Sequence, residues 1–117
     1  MIIYKTFSFD SAHYLPNVPA GHKCGGMHGH TYALKVFLAG EPGSETGWIL
    51  DYTDLKIGIH PIISLLDHKL LNEIPGLENP TAEKLSIWLW NKIKPIFPKL
   101  CRIELNETPG TGVIYEG

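Results

Sequence analysis

The chain has 117 residues, 44% hydrophobic and 19% charged, with a formal net charge of −2. This is the size and composition of one globular domain, and it excludes a disordered chain and a disulfide scaffold. No basic run is longer than two residues and no apolar stretch approaches a membrane span, which argues against a nucleic-acid groove and a membrane anchor. Met1-Ile2-Ile3-Tyr4-Lys5 lacks the charged start and long apolar core of a secretory leader. An intracellular, cytoplasmic protein is therefore expected, with Cys24 and Cys101 as free thiols.

In chain order, residues 2–9, IIYKTFSF, are β-branched and aromatic and read as a strand. LPNVPAGHKCGG is a long loop. Residues 30–39, HTYALKVFLA, alternate, with His30, Tyr32, Leu34, Val36 and Leu38 on the face expected to point inward. After the turn GEPGSETG, Thr53 or Asp54 is expected to cap a helix running to about Leu66. Its apolar face is Leu55, Ile59, Ile62, Ile63 and Leu66, and Gly58 and Pro61 make a kink plausible. A second helix is expected from Thr81 to Phe97, burying Leu85, Trp88, Leu89, Ile93 and Ile96. Residues 99–107, KLCRIELNE, alternate again, and 112–116 make a last strand. The order β-β-α-α-β-β predicts an α+β domain, an antiparallel sheet with two helices on one face.

The stretch KCGGMHGHTY carries the chemistry. His28 and His30 are two apart, so their side chains share one side of a strand. Two neutral imidazoles there can share a Zn²⁺. His13, in the register of Phe7 and Phe9, is the best third ligand. Three histidines leave one tetrahedral position open, as catalytic zinc sites do. An HxH pair alone is better explained by two hydrogen-bonded core histidines; His13 and Cys24 nearby turn the reading toward a metal.

Cys24 can close the metal shell. Alternatively, held off by Gly25-Gly26, it can act as a base if nearby positive charge lowers its pKa. Asp67-His68 can polarise a thiol or relay a proton, or simply end a helix. Strand parity places Glu107 on the inward face with Cys101, Ile103 and Leu105. A carboxylate there needs a partner, and the paired N–H groups of a pterin or guanine edge would supply one; a solvated strand end is the alternative. His22 and His60 read as surface residues and Cys101 as a small core residue.

FSFDSAH, CGGMHGH, LDH, NPTAE and NET, in this order, resemble the 6-pyruvoyltetrahydropterin synthase family from Phe7 to Gly117. The three residues between Cys24 and HGH are similar to the bacterial branch that serves queuosine synthesis. The resemblance implies a T-fold, a four-stranded antiparallel sheet with two helices between its second and third strands. It also implies trimers whose sheets join into a barrel, two trimers per hexamer, and active sites between subunits. By the same resemblance His13, His28 and His30 would hold one Zn²⁺ per subunit, Cys24 would be the proton-abstracting base, Asp67 and His68 its relay, and Glu107 the pterin anchor. The implied reaction turns 7,8-dihydroneopterin triphosphate into 6-carboxy-5,6,7,8-tetrahydropterin, acetaldehyde and triphosphate. Gly26 stands where other members carry a basic residue, so Lys23, with His22 and Lys69, becomes the candidate triphosphate contact.

Overall fold

A computed structural model describes the whole chain, Met1–Gly117. Its elements are β1 (Ile2–His13), β2 (His28–Ala39), α1 (Tyr52–Leu66), β3 (Lys69–Leu70), α2 (Ala82–Ile93), β4 (Leu100–Thr108) and β5 (Thr111–Tyr115). They form one sheet in the order β3-β1-β2-β4-β5. The pairs β1–β2, β2–β4 and β4–β5 are antiparallel, as the α+β T-fold requires. A fifth strand corrects the expected count of four: β3 lies parallel to β1 at Ser11 and Ala12. Two residues are too few to show a periodicity in sequence.

The hairpin of β1 and β2 is longer than its apolar pattern. Pairing continues through polar Asp10 and Ser11 to His13 opposite His28. The inward face therefore changes character along its length. It is apolar from Leu38 through Val36 and Leu34 to the fully buried Tyr32, and then carries His30 and His28. On β1, buried Phe9 gives way to Ser11 and His13. The loop end of the hairpin is thus lined by imidazoles where the core runs out.

Helix α1 is capped by Asp51, whose carboxylate accepts the Thr53 N–H at 2.9 Å; neither Thr53 nor Asp54 is the cap. One helical run passes through Gly58 and Pro61. Gly58 has a packing reason: a Cβ there would lie 2.4 Å from Phe97 Cζ. Buried Ser11 donates to the Leu66 carbonyl at 2.5 Å, satisfying one of the orphan acceptors at the end of α1.

Thr81 caps α2 through the Lys84 N–H. The helix stops at Ile93 rather than Phe97, so helical spacing no longer governs Ile96, which is 51% exposed instead of buried. Trp88 is half-buried against the core rather than inside it.

The core lies between the sheet and the helices: Leu34, Val36, Leu55, Ile59, Leu66, Leu85, Leu89, Ile93, Ile103 and Leu105 are fully buried. Each such side chain contributes roughly 1.5–3 kcal/mol of burial. A register shift between Phe37 and Leu38 pairs them with Arg102 and Leu100, leaving Cys101 as the extra residue. Leu100 takes the inward place, and Cys101 is half-buried with its thiol donating to the Phe37 carbonyl, so it is not the core residue expected. No helix is long and apolar enough to cross a membrane.

Candidate active site

The three histidines expected as ligands meet at the end of the β1–β2 hairpin. His13 Nδ1 faces the Pro80 carbonyl at 2.8 Å, and His28 Nδ1 faces the Gly26 carbonyl at 2.7 Å. A carbonyl only accepts, so each Nδ1 carries the hydrogen and each Nε2 presents a bare lone pair. Those two Nε2 atoms face each other at 3.0 Å. Two lone pairs at that distance repel unless a cation or a proton lies between them. His30 Nε2 is buried with no hydrogen-bond partner. The three donor atoms lie within 4.8 Å of one another. Donors around a tetrahedral ion with bonds of about 2.0–2.1 Å stand roughly 3.4 Å apart, close to the 3.0 Å of the His13–His28 pair. An orphaned imidazole nitrogen beside two opposed acceptors is a donor set that could hold a metal ion. In the free protein the His13 pKa is lowered, first by burial; the Pro80 hydrogen bond opposes this and neighbouring His28 adds to it.

Cys24 Sγ is not among the atoms of that cluster. It lies in a short 3₁₀ turn, Lys23–Gly25, and shares a cavity of about 350 Å³ with Lys23, His28, His30 and Glu107. Thiol, lysine and carboxylate therefore border the same space as two of the histidines. Glu107 falls at a second irregularity of β4, between Asn106 and Thr108, so the bulge aims it rather than simple alternation. Its Oε2 lies 3.8 Å from His30 Nε2, and it also borders a neighbouring cavity beside Thr81 and Gly112.

Asp67 and His68 sit elsewhere. They follow α1, and His68 lines a cavity of about 550 Å³ with Asp10, Gly29, Thr31 and Lys69. His30 is the one residue this cavity shares with that of Cys24, so a single chain does not bring the dyad and the thiol into one cavity. The dyad is clamped by one residue of β1: Asp10 N–H donates to Asp67 Oδ1 at 2.9 Å, and its carbonyl accepts the His68 N–H at 2.6 Å. Asp67 Oδ2 is 3.0 Å from His68 Nδ1. The Asp10 hydrogen bond, then His68, holds the Asp67 pKa below its usual value. His68 has φ 57°, the left-handed conformation that an L-residue seldom adopts.

The profile of a family described as 6-pyruvoyl tetrahydropterin synthase matches residues 2–117. The chain belongs to that family. It is 40% identical to a 6-carboxy-5,6,7,8-tetrahydropterin synthase of Synechocystis, over 97% of this chain and 92% of that protein. It is 35% identical to a dihydroneopterin monophosphate aldolase of Pyrococcus furiosus, over 98% and 96% of the two chains. The solved 6-pyruvoyl tetrahydropterin synthase of Caenorhabditis elegans superposes on all of this chain and 95% of its own, with a TM-score of 0.93 and 26% identity.

In this member of the family, several supporting groups escaped the sequence reading. Pro80 contributes a backbone carbonyl, which no side-chain pattern announces. Asn72 accepts the Tyr14 N–H at 3.0 Å and donates to the Tyr14 carbonyl at 2.8 Å, pairing like a strand neighbour beside His13. The Tyr32 hydroxyl lies 3.3 Å from His13 Nδ1, and burial, then Glu107, pushes its pKa up, so it stays protonated. Tyr32 was visible as an inward residue beside His30, but not as a neighbour of His13.

Proposed function

We propose that the chain is a zinc-dependent lyase, a 6-carboxy-5,6,7,8-tetrahydropterin synthase acting in the cytoplasm in the route to queuosine. The observation that carries this reading is the cavity in which Cys24 and Glu107 border two of three clustered imidazoles. Three neutral nitrogen donors with room for a further ligand suit zinc. His13, His28 and His30 would hold it, and when bound it supplies Lewis-acid polarisation of the substrate's side-chain hydroxyls. Identity to the Synechocystis synthase over nearly the whole chain supports the same substrate class.

In this reading 7,8-dihydroneopterin triphosphate and water give 6-carboxy-5,6,7,8-tetrahydropterin, acetaldehyde and triphosphate. Glu107 accepts the paired N–H groups of the pterin edge and fixes the ring. Cys24 takes a proton from the side chain, and Lys23 faces the triphosphate. His68, with Asp67 bound to its ring, borders a cavity apart from that of Cys24, so their relay role requires a second copy of the chain to bring them to the thiol. A hexamer, built as a dimer of trimers with sites between subunits, meets that requirement.

The Pyrococcus relative favours a second reading, cleavage of the side chain in the manner of an aldolase. Both readings use the same three histidines and differ in product and in the number of phosphates on the substrate. Zinc-loaded protein incubated with 7,8-dihydroneopterin triphosphate should yield a 6-carboxy pterin and acetaldehyde by mass spectrometry, with none from Cys24→Ala. A hydroxymethyl pterin would favour the aldolase reading. A pyruvoyl pterin without acetaldehyde would mean loss of triphosphate without carbon–carbon cleavage.

A further inference from the structure

The turn that carries Cys24 buries none of its residues. Lys23, Gly25, Gly26 and Met27 are exposed, and two glycines offer no side chain to pack. Cys24 itself is only half-buried, so packing constrains the thiol weakly and the hydrogen bonds of the turn carry more of its placement. The Cys24 carbonyl accepts the Leu15 N–H at 2.9 Å, which ties the turn to the chain just beyond His13. The Cys24 N–H is held by a side chain: it donates to His22 Nδ1 at 3.0 Å. His22 is the N-cap of the turn, in extended conformation, and its own carbonyl accepts the Gly25 N–H at 3.0 Å.

Histidine is not a usual N-cap; Ser, Thr, Asp and Asn are preferred because a short side-chain oxygen reaches the free N–H. Here the ring works because its Nδ1 lone pair is available. That is the reverse of His13 and His28, whose Nδ1 atoms face carbonyls and carry hydrogen. The sequence placed His22 on the surface, and it is exposed, but its ring is engaged with the residue two positions on.

We propose that His22 is a positioning residue for Cys24: its neutral imidazole caps the turn and fixes where the thiol stands relative to the three-histidine cluster. The inference rests on the reading of Cys24 as the base. It predicts that what matters at position 22 is an acceptor for the Cys24 N–H, not an imidazole as such. His22→Ala removes the acceptor, whereas His22→Asn restores one.

The test compares wild type, His22→Ala, His22→Asn and Cys24→Ala as zinc-loaded protein. It reads kcat, KM, zinc content and the iodoacetamide alkylation rates of Cys24 and Cys101 by peptide mapping. The expected result for His22→Ala is a kcat about fivefold lower, the equivalent of about 1 kcal/mol, with KM and zinc unchanged. The alkylation rate should change at Cys24 only, and His22→Asn should recover most of both effects. Cys101 is the internal control, because general loosening of the fold would move both thiols. Unchanged kcat and Cys24 alkylation in His22→Ala would overturn the inference. So would a loss confined to KM that Asn does not rescue, which would make His22 a substrate contact. If Cys24→Ala itself remains active, the base assignment fails, and that result is separate from any outcome at His22.

Discussion

The Nε2 atoms of His13 and His28 face each other at 3.0 Å, while the opposite nitrogen of each ring is spent on a backbone carbonyl. An arrangement of two acceptors pointed at one another is stable when something positive separates them. Protein stripped with a chelator should therefore unfold at a lower temperature than zinc-loaded protein. The difference in unfolding free energy should widen by about 1.4 kcal/mol for each tenfold of free zinc above the dissociation constant. His28→Ala should lose both the bound zinc and this concentration dependence, which calorimetry with metal analysis would show.

Asp67 makes a prediction about acid. The Asp10 N–H and His68 both favour its ionised form, so its folded pKa lies below the ordinary carboxylate value. The unfolded chain then binds the proton more readily. The stability contributed by this carboxylate is fully present at neutral pH and is lost as pH falls from about 4 through the folded pKa. Asp67→Asn should flatten the fall of Tm with pH in that acidic window and leave the slope above pH 5 unchanged. An unaltered acid slope would mean that other carboxylates govern it.

Glu107 should separate binding from chemistry. As an anchor it would hold substrate and transition state alike, so Glu107→Gln should act mainly by raising KM. Loss of a charged hydrogen-bond acceptor should lower kcat/KM by roughly 10- to 100-fold. Zinc content should not change, although Oε2 lies 3.8 Å from His30 Nε2. Steady-state kinetics beside metal analysis decides it; a fall in kcat with constant KM would give the carboxylate a part in proton transfer.

Gly58 tests the packing of α1. In an exposed helix, replacing glycine by alanine gains about 1 kcal/mol. Here the added Cβ would meet Phe97 Cζ at 2.4 Å and Cε2 at 2.6 Å. The ring must move, and Gly58→Ala should cost a net 1–3 kcal/mol or so in urea denaturation. Combining it with Phe97→Leu should recover part of the loss.

The sequence carried the sheet faces well where a side chain is buried by alternation. His28, His30 and Tyr32 lie on the inward face of β2, and His13 follows Phe9 and Ser11 on β1, because period-two geometry transmits along a regular strand. It failed where regularity fails. The bulge at Cys101 moved Leu100 inward, and two-residue β3 left no pattern to find. Helix ends shifted because a cap is a local hydrogen bond: Asp51 won over Asp54, and the helix at Ile93 ended before Ile96 could be carried inward. Of the candidate site, the grouping of His13, His28 and His30 was legible from strand parity. The groups that orient them were not, since the Pro80 and Gly26 carbonyls and the Asp10 backbone have no signature in residue identity.

The left-handed backbone at His68 has a consequence for anyone who would improve this protein. Glycine would adopt φ 57° freely, and asparagine nearly so, whereas an imidazole-bearing residue is held there at some conformational expense. A redesign guided by thermal robustness alone would select glycine at 68 and report a better fold. It would also delete the ring that Asp67 grips, so heat tolerance at this position is a warning sign rather than a goal.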